Sequence, residues 1–106
     1  MSTPALTTLD QAGVEYWLHT YDVSDRVGHG YGPAVAAAIG VTADRVFKTL
    51  LAVVDDEPVV AIVPVDGRLS TKALARLAGG KKASMAAPAD AERLTGYVTG
   101  GISPLG

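Results

Sequence analysis

The stretch that decides the fold is Val46–Val65, which reads VFKTLLAVVDDEPVVAIVPV. Two valine-rich apolar runs, Val46–Val54 and Val59–Val65, flank the polar link Asp55–Pro58. Apolar runs of this length bounded by turn residues predict two β-strands, and the short link predicts an antiparallel hairpin. Because consecutive positions are apolar, both strands are expected to be buried on both faces and central in a sheet. Pro64 is expected to cost a ladder hydrogen bond and to mark a bulge or strand end.

Helices and further strands are predicted on both sides of this hairpin. Before it, the patterns indicate a helix starting at Thr3 and Pro4 and stopping at Gly13, a strand over Val14–Tyr21, and a helix from Pro33 to Gly40. After it, they indicate a helix capped by Ser70 with Leu74, Leu77 and Ala78 facing inward, a strand over Ala83–Met85, a helix over Pro88–Leu94 and a strand at Tyr97–Val98. This irregular mixture predicts an α+β fold with a curved, mixed, mostly antiparallel sheet and short flanking helices.

Length and composition restrict the domain count and the chemistry. The 106 residues predict a single domain, 1–106, and the absence of cysteine excludes disulfides, thiolate zinc sites and cysteine nucleophiles. With two histidines, no metal is expected. No apolar run approaches the roughly 20 residues of a membrane span, and the N-terminus has no signal-peptide pattern. We therefore expect a cytoplasmic protein without membrane contact.

Lys48 interrupts the first apolar strand, on the same predicted face as Val46, Leu50 and Ala52. A buried ammonium is costly unless an anionic or carbonyl-rich group meets it. One interpretation is a lysine held in a cleft, where it supplies positive charge to an oxyanion, a phosphate or a carbonyl. The other is a lysine near a strand end whose ammonium reaches solvent. The pattern leaves both open.

The segment Gly100–Pro104 is the second unusual feature. Adjacent glycines allow the backbone to approach a ligand closely, and Pro104 fixes the turn that follows. The alternative is a flexible connector or frayed tail. Because a connector needs something to connect to, the ending at Gly106 suggests that a following element has been lost.

Charge is unevenly distributed along the chain. Residues 1–66 carry three basic and nine acidic side chains, whereas residues 67–106 carry six and two. The net charge of −2 gives no general attraction for nucleic acid, so such a partner would have to be met locally. The candidate surface for contacts with nucleic-acid phosphates consists of Arg68, Lys72, Arg76, Lys81 and Lys82. A solvated helix face is the competing interpretation.

Several motifs together resemble the YbaK/EbsC-type proteins, relatives of the prolyl-tRNA synthetase insertion (editing) domain. They are HTY at 19–21, YG at 31–32, VFKTLL at 46–51, KKA at 81–83 and TGYVTGGISPLG at 95–106. The resemblance covers essentially the whole chain and is greatest to the Cys-tRNA(Pro) deacylase branch. It implies a barrel-like sheet, and it implies that family members continue beyond Gly106, so that this chain is truncated at its C-terminus.

The resemblance also implies a function and a site. The function is trans-editing deacylation: cleavage of the ester of mischarged tRNA, with Cys-tRNA(Pro) as first candidate, by attack of the substrate's own thiol or of water. It implies no cofactor, tRNA as partner and a link to prolyl-tRNA synthetase. Lys48 corresponds to the essential lysine, and Gly100 and Pro104, with Gly101 between them, correspond to the substrate-binding GxxxP loop. Tyr21 and Tyr31 correspond to aromatic residues of the pocket.

Two other functions remain open from the sequence. One is a non-catalytic module that binds the tRNA acceptor end or a synthetase. The other is a small-molecule phosphate site formed by the Gly100–Gly101 backbone. A measurement of deacylation of mischarged tRNA distinguishes the editing deacylase from both of these alternatives.

Overall fold

The computed structural model describes residues 3–21 and 31–106, and this part of the chain has an α+β fold. The elements are α1 (Pro4–Ala12), α2 (Tyr31–Ile39), a 3-10 turn (Ala43–Arg45), β1 (Phe47–Val54), β2 (Glu57–Pro64), α3 (Thr71–Leu77), β3 (Ala83–Met85) and α4 (Pro88–Thr95). Their types confirm the predicted fold class. None of these helices has the length and apolar character needed to cross a membrane.

The predicted hairpin is present as β1 and β2, joined by a two-residue turn. Asp55 and Asp56 adopt φ angles of 48° and 70°. Positive φ at both central residues is the requirement of a type I′ turn, whose twist matches that of the two strands. The strand order is β2-β1-β3, antiparallel throughout. The central position expected for both strands is therefore right for β1 and wrong for β2, which lies at an edge of the sheet that the described strands form.

The prolines of β2 fit this edge position. The Val65 N–H donates to the Val46 carbonyl at 2.8 Å, and hydrogen-bonded and non-hydrogen-bonded pairs alternate along an antiparallel ladder. This alternation puts Pro58 and Pro64 at non-hydrogen-bonded positions, where a missing N–H faces away from β1. Pro64 does end the strand, but the expected loss of a ladder hydrogen bond is wrong.

The helix caps follow the predicted pattern. The Thr3 hydroxyl accepts the Leu6 N–H at 3.2 Å, and Gly13 ends α1 in the left-handed conformation with φ 68°. The Ser70 hydroxyl accepts the Ala73 N–H at 3.1 Å at the start of α3. The Thr3 and Ser70 hydroxyls each satisfy a backbone N–H that the first helical turn leaves unpaired.

The core is formed by β1 and by small residues of the surrounding elements. Among the described side chains, the buried apolar ones are Val35, Ala36, Leu51, Ala52, Val54, Ala61, Ala75 and Ala91. Leu77, predicted to face inward, is 85% exposed, whereas its neighbour Ala75 is buried. The predictions for Leu77 and for Ala78, which is also exposed, are wrong because α3 turns Ala75 toward the interior.

Two predicted strands are absent from the described part of the chain. Val14–Tyr21 and Tyr97–Val98 contain no strand and pair with none of β1, β2 or β3. The Val14 N–H instead donates to the Leu9 carbonyl at 3.2 Å, at the end of α1. A strand needs a neighbouring strand to pair its backbone groups, and neither segment has a ladder partner among the described strands. Alternating side chains alone therefore did not produce a strand.

Candidate functional site

A cavity of about 750 Å³ opens beside β1. Its wall is formed by β1, the first turn of α2, the turn that follows β2, the start of α4 and the loop that follows α4. Gly32 of α2 packs so tightly on the end of the sheet that an added Cβ would lie 2.7 Å from the Val65 Cβ. Close approach of this kind requires glycine, and it brings α2 against the cavity. Four predicted site residues line this cavity: Tyr21, Lys48, Arg68 and Gly100.

Lys48 lies near the start of β1, opposite Val63 of β2. Its side chain is half-buried and forms no hydrogen bond or ion pair with any residue in the described ranges. An ammonium taken partly out of water without a partner gains from any anion or carbonyl that enters the cavity. The structure therefore combines the two interpretations of Lys48: it lies near a strand end and also faces a cleft.

The turn after β2 adds two charges to the cavity wall. Arg68 and Asp66 both line it, and the Gly67 N–H closes the turn on the Pro64 carbonyl at 2.9 Å. Asp66 is the single carboxylate among the described lining residues and was missed by the sequence reasoning, in which Asp66-Gly67 signalled only a turn. Across residues 3–21 and 31–106, no group of three or more histidine, aspartate or glutamate side chains is arranged to hold a metal ion.

The predicted basic surface is divided by the structure. Arg68 lies on the cavity wall, whereas the other four members do not line it. Those four side chains are exposed: Lys72, Arg76, Lys81 and Lys82. α3 begins only at Thr71, so Arg68 belongs to the preceding turn, whereas Lys72 and Arg76 lie on the helix.

One edge of β1 is open beside the cavity. β3 pairs only with Ala52–Val54, and the Ala86 N–H extends this contact to the Leu51 carbonyl at 3.0 Å. By the alternation of the ladder, the backbone groups of Phe47 and Thr49 point away from β2 on this same side. Both residues line the cavity and lack a ladder partner there among the described strands. The edge therefore offers backbone donors and acceptors to a ligand.

The loop after α4 is held in place by hydrogen bonds on both sides of Gly100. The Glu92 carboxylate accepts the Thr99 N–H at 2.8 Å, and the Gly101 N–H donates to the Val98 carbonyl at 2.9 Å. The Tyr97 hydroxyl donates to the Leu105 carbonyl at 2.8 Å. Gly100 lines the cavity with φ 91°, whereas Gly101 and Pro104 are outside the lining. Their predicted contact with substrate stays a prediction.

The two predicted aromatic residues differ in what the structure describes. Tyr21 lines the cavity and is 46% exposed. Tyr31 is the first residue of α2, and its side chain lies outside the described part of the structure. Among the described side chains, Tyr21 therefore supplies the phenol ring of the cavity wall, together with the cations Lys48 and Arg68.

Replacing Gly100 with alanine is expected to lower at least tenfold the turnover of the ester cleavage that the sequence resemblance implies. A Cβ disfavours the left-handed backbone by about 1 kcal/mol or more, so the loop will shift its carbonyl and N–H groups along the cavity wall. Gly40→Ala is the matched control, because Gly40 has φ 78°, ends α2 and does not line the cavity. Similar losses of thermal stability are expected in both variants, with loss of turnover only in Gly100→Ala. Equal turnover in the two would contradict a role for this loop.

Comparisons with known proteins show the family of this chain. The family model of the aminoacyl-tRNA editing domain matches residues 32–106. EbsC of Enterococcus faecalis, a candidate Cys-tRNA(Pro)/Cys-tRNA(Cys) deacylase, is 37% identical over 105 residues, which cover 98% of this chain and 63% of EbsC. A proline–tRNA ligase of Nitratidesulfovibrio vulgaris is 42% identical over 72 residues, 68% of this chain and 12% of the ligase.

A solved structure is also similar to this chain. The crystal structure of a candidate trans-editing enzyme for prolyl tRNA synthetase superposes with a TM-score of 0.77 at 26% identity, covering all of this chain and 67% of that one. This chain thus spans about two thirds of the length of EbsC and of that enzyme. The match across residues 32–106 includes β1 and the loop after α4, the two elements that carry Lys48 and Gly100. The chain belongs to the aminoacyl-tRNA editing domain family.

Proposed function

We propose that this protein is a trans-editing deacylase that cleaves the ester of mischarged tRNA, with Cys-tRNA(Pro) as its first substrate. The observation that carries the proposal is the half-buried ammonium of Lys48, which has no partner among the described residues, on the cavity wall of an editing-family domain. An ester carbonyl bound beside this ammonium develops negative charge in the transition state. A fixed cation stabilises that charge more than it stabilises the neutral ground state.

The remaining wall groups fit the other parts of an aminoacyl ester. The carboxylate of Asp66 suits the substrate's α-ammonium, and the guanidinium of Arg68 suits a phosphate of the terminal nucleotide. The open backbone of Thr49 and the Gly100 loop offer hydrogen bonds to the ribose and the carbonyl. Tyr21 and Tyr31 are proposed to pack against the substrate, and Gly101 and Pro104 to shape the loop.

The chemistry requires one nucleophile and one leaving group. Either the thiol of a cysteinyl substrate or a water molecule attacks the ester carbonyl carbon. The bond between that carbon and the ribose oxygen breaks, and the oxygen leaves as a hydroxyl group with the one proton that the thiol or water gives up. The acyl product is a cyclic thioester after attack by the thiol and the free amino acid after attack by water. Because an ester is already activated, positioning and charge stabilisation are sufficient for this protein's part in the reaction.

The proposal extends to partners and location. We propose that residues 1–106 act as one editing domain, that the exposed lysines and arginine beyond the cavity contact tRNA phosphates, and that prolyl-tRNA synthetase supplies the mischarged substrate. Lys72, Arg76, Lys81 and Lys82 form that outer surface. We also propose a cytoplasmic location, because the proposed substrate is a tRNA of protein synthesis.

Deacylation of three aminoacylated forms of tRNA(Pro) tests the function. Loss of ester is expected to be fastest for Cys-tRNA(Pro), slower for Ala-tRNA(Pro) and close to the buffer rate for the correct Pro-tRNA(Pro). S-methylation of the cysteinyl group separates the routes, since it blocks attack by the thiol and leaves attack by water. Ester loss no faster than in buffer for all three rejects the proposal, and saturable tRNA binding without turnover indicates the non-catalytic module instead.

A further inference from the structure

Trp17 is the single tryptophan of the chain, and it is 75% exposed. It lies in the segment Val14–Tyr21, which contains no strand or helix and ends at the cavity-lining residue Tyr21. A largely exposed indole leaves a large apolar surface in water, so a partner that covers it gains binding energy. The proposed chemistry of the cavity does not use this side chain.

The position of Trp17 relative to the cavity restricts what that partner is. Three residues lie between Trp17 and Tyr21, so the four steps from one Cα to the other span at most about 14 Å even when the chain is fully extended. At the other end of the segment, the Tyr16 hydroxyl donates to Asp10 of α1 at 2.8 Å, and this bond raises the pKa of Tyr16. Trp17 therefore follows Tyr16, which is hydrogen-bonded to α1, and it lies within the length of a few nucleotides from the cavity.

The way in which a tRNA end would enter the cavity indicates which group covers Trp17. If the ester and terminal nucleotide occupy the site beside Lys48 and Arg68, the preceding unpaired nucleotides lie at its mouth. Aromatic side chains next to cations are the usual platform for single-stranded bases, because every base presents a π-face. Here the cations are in the cavity wall and the exposed indole lies on the segment that leads into it.

We propose that Trp17 stacks on an unpaired base of the tRNA acceptor end that precedes the terminal nucleotide. This inference rests on the proposed function, which supplies the tRNA end. It adds a binding residue outside the cavity, and it makes recognition depend on single-stranded nucleotides rather than on the ester alone. Its expected effect falls on affinity for tRNA and not on the chemical step.

Intrinsic fluorescence tests the contact directly, because every tryptophan signal comes from Trp17. Titration with a short single-stranded RNA ending in CCA is expected to quench the emission, in proportion to RNA bound. A blunt RNA duplex of the same length, which has no unpaired bases, is expected to leave the emission nearly unchanged. Equal quenching by both RNAs contradicts base stacking.

Variants separate stacking from folding. Trp17→Ala is expected to weaken binding of labelled single-stranded RNA about fivefold or more, while Trp17→Phe keeps most of the affinity. Leu18→Ala is the matched control, because Leu18 is the adjacent apolar side chain and is 62% exposed. It is expected to bind RNA like the wild type.

The final comparison distinguishes failure of this inference from failure of the proposed function. Trp17→Ala is expected to cleave cysteinyl-adenosine, which lacks preceding nucleotides, at the wild-type rate, and to show a raised KM only with full Cys-tRNA(Pro). Tryptophan-dependent RNA binding without any turnover supports the inference while rejecting the function. Unchanged RNA affinity in Trp17→Ala overturns the inference, as does an emission shift that depends on protein concentration without RNA and so indicates self-association.

Discussion

Replacing Lys48 with alanine is expected to lower kcat/KM for deacylation of Cys-tRNA(Pro) by about 100- to 1000-fold. This is the range found when a pre-positioned group that stabilises developing negative charge is removed. The ammonium is half-buried and without a partner in the described structure, so its charge is available to the substrate. Single-turnover kinetics with enzyme in excess measure the chemical step and separate it from product release.

Two further variants exclude trivial causes of that loss. Lys48→Met keeps the length of the side chain and removes only the charge, so its thermal stability is expected to equal or exceed that of the wild type while its activity falls with that of Lys48→Ala. Arg45→Ala removes one exposed positive charge just before β1, away from the cavity wall, and is expected to retain activity. Wild-type rates in both Lys48 variants would remove Lys48 from the mechanism.

The parts of this fold that sequence predicts well are those determined by neighbouring residues. The hairpin follows from two apolar runs around a polar link, and the caps at Thr3 and Ser70 follow from hydroxyl side chains placed before helical patterns. Each depends on contacts between residues a few positions apart. The wrong strand at Val14–Tyr21 had an equally regular pattern, but a strand also requires a distant partner that the pattern does not encode.

The candidate site shows the same division. Sequence singled out Lys48 and Gly100 because each is locally unusual, a cation in an apolar strand and a paired glycine in a terminal loop. Asp66 and the open edge at Thr49 were missed, since an aspartate in a turn and a threonine in a strand are ordinary residues locally. Only tertiary packing, which brings the turn after β2 and the loop after α4 to one cavity, gives them a possible role.

Replacing Asp55 with alanine is expected to lower the free energy of unfolding by about 2–3 kcal/mol. The backbone N–H groups of Lys81 and Lys82 donate to the Asp55 carboxylate at 3.0 and 2.9 Å, and the Asp55 N–H donates back to the Lys82 carbonyl at 2.9 Å. Hydrogen bonds to a charged group stabilise by about 1.5–3 kcal/mol when shielded and less when exposed, as these are. Alanine at φ 48° adds a backbone cost of about 1 kcal/mol.

Asp56→Ala separates these two contributions, because Asp56 is the other residue of the same turn. Its φ of 70° imposes a comparable backbone cost, but its carboxylate accepts no hydrogen bond from the described residues. Urea denaturation is therefore expected to show a loss of about 1 kcal/mol for Asp56→Ala, with the excess in Asp55→Ala measuring the carboxylate's bonds. Equal losses would mean that the carboxylate contributes nothing.

The Asp55 contact also links stability to the site. It fixes the chain where β3 begins, and β3 pairs with only Ala52–Val54 of β1 before Met85 and Ala86 reach the cavity wall. Asp55→Ala is therefore expected to speed hydrogen exchange at the β3 amides, and to reduce deacylation at temperatures where the domain remains folded. Asn at position 55 keeps one acceptor oxygen and tolerates the turn conformation. The exchange rate of the β3 amides in Asp55→Asn is therefore expected to lie between the rates in Asp55→Ala and Asp56→Ala. Unchanged exchange at β3 in Asp55→Ala would show that strand pairing alone positions this wall of the cavity.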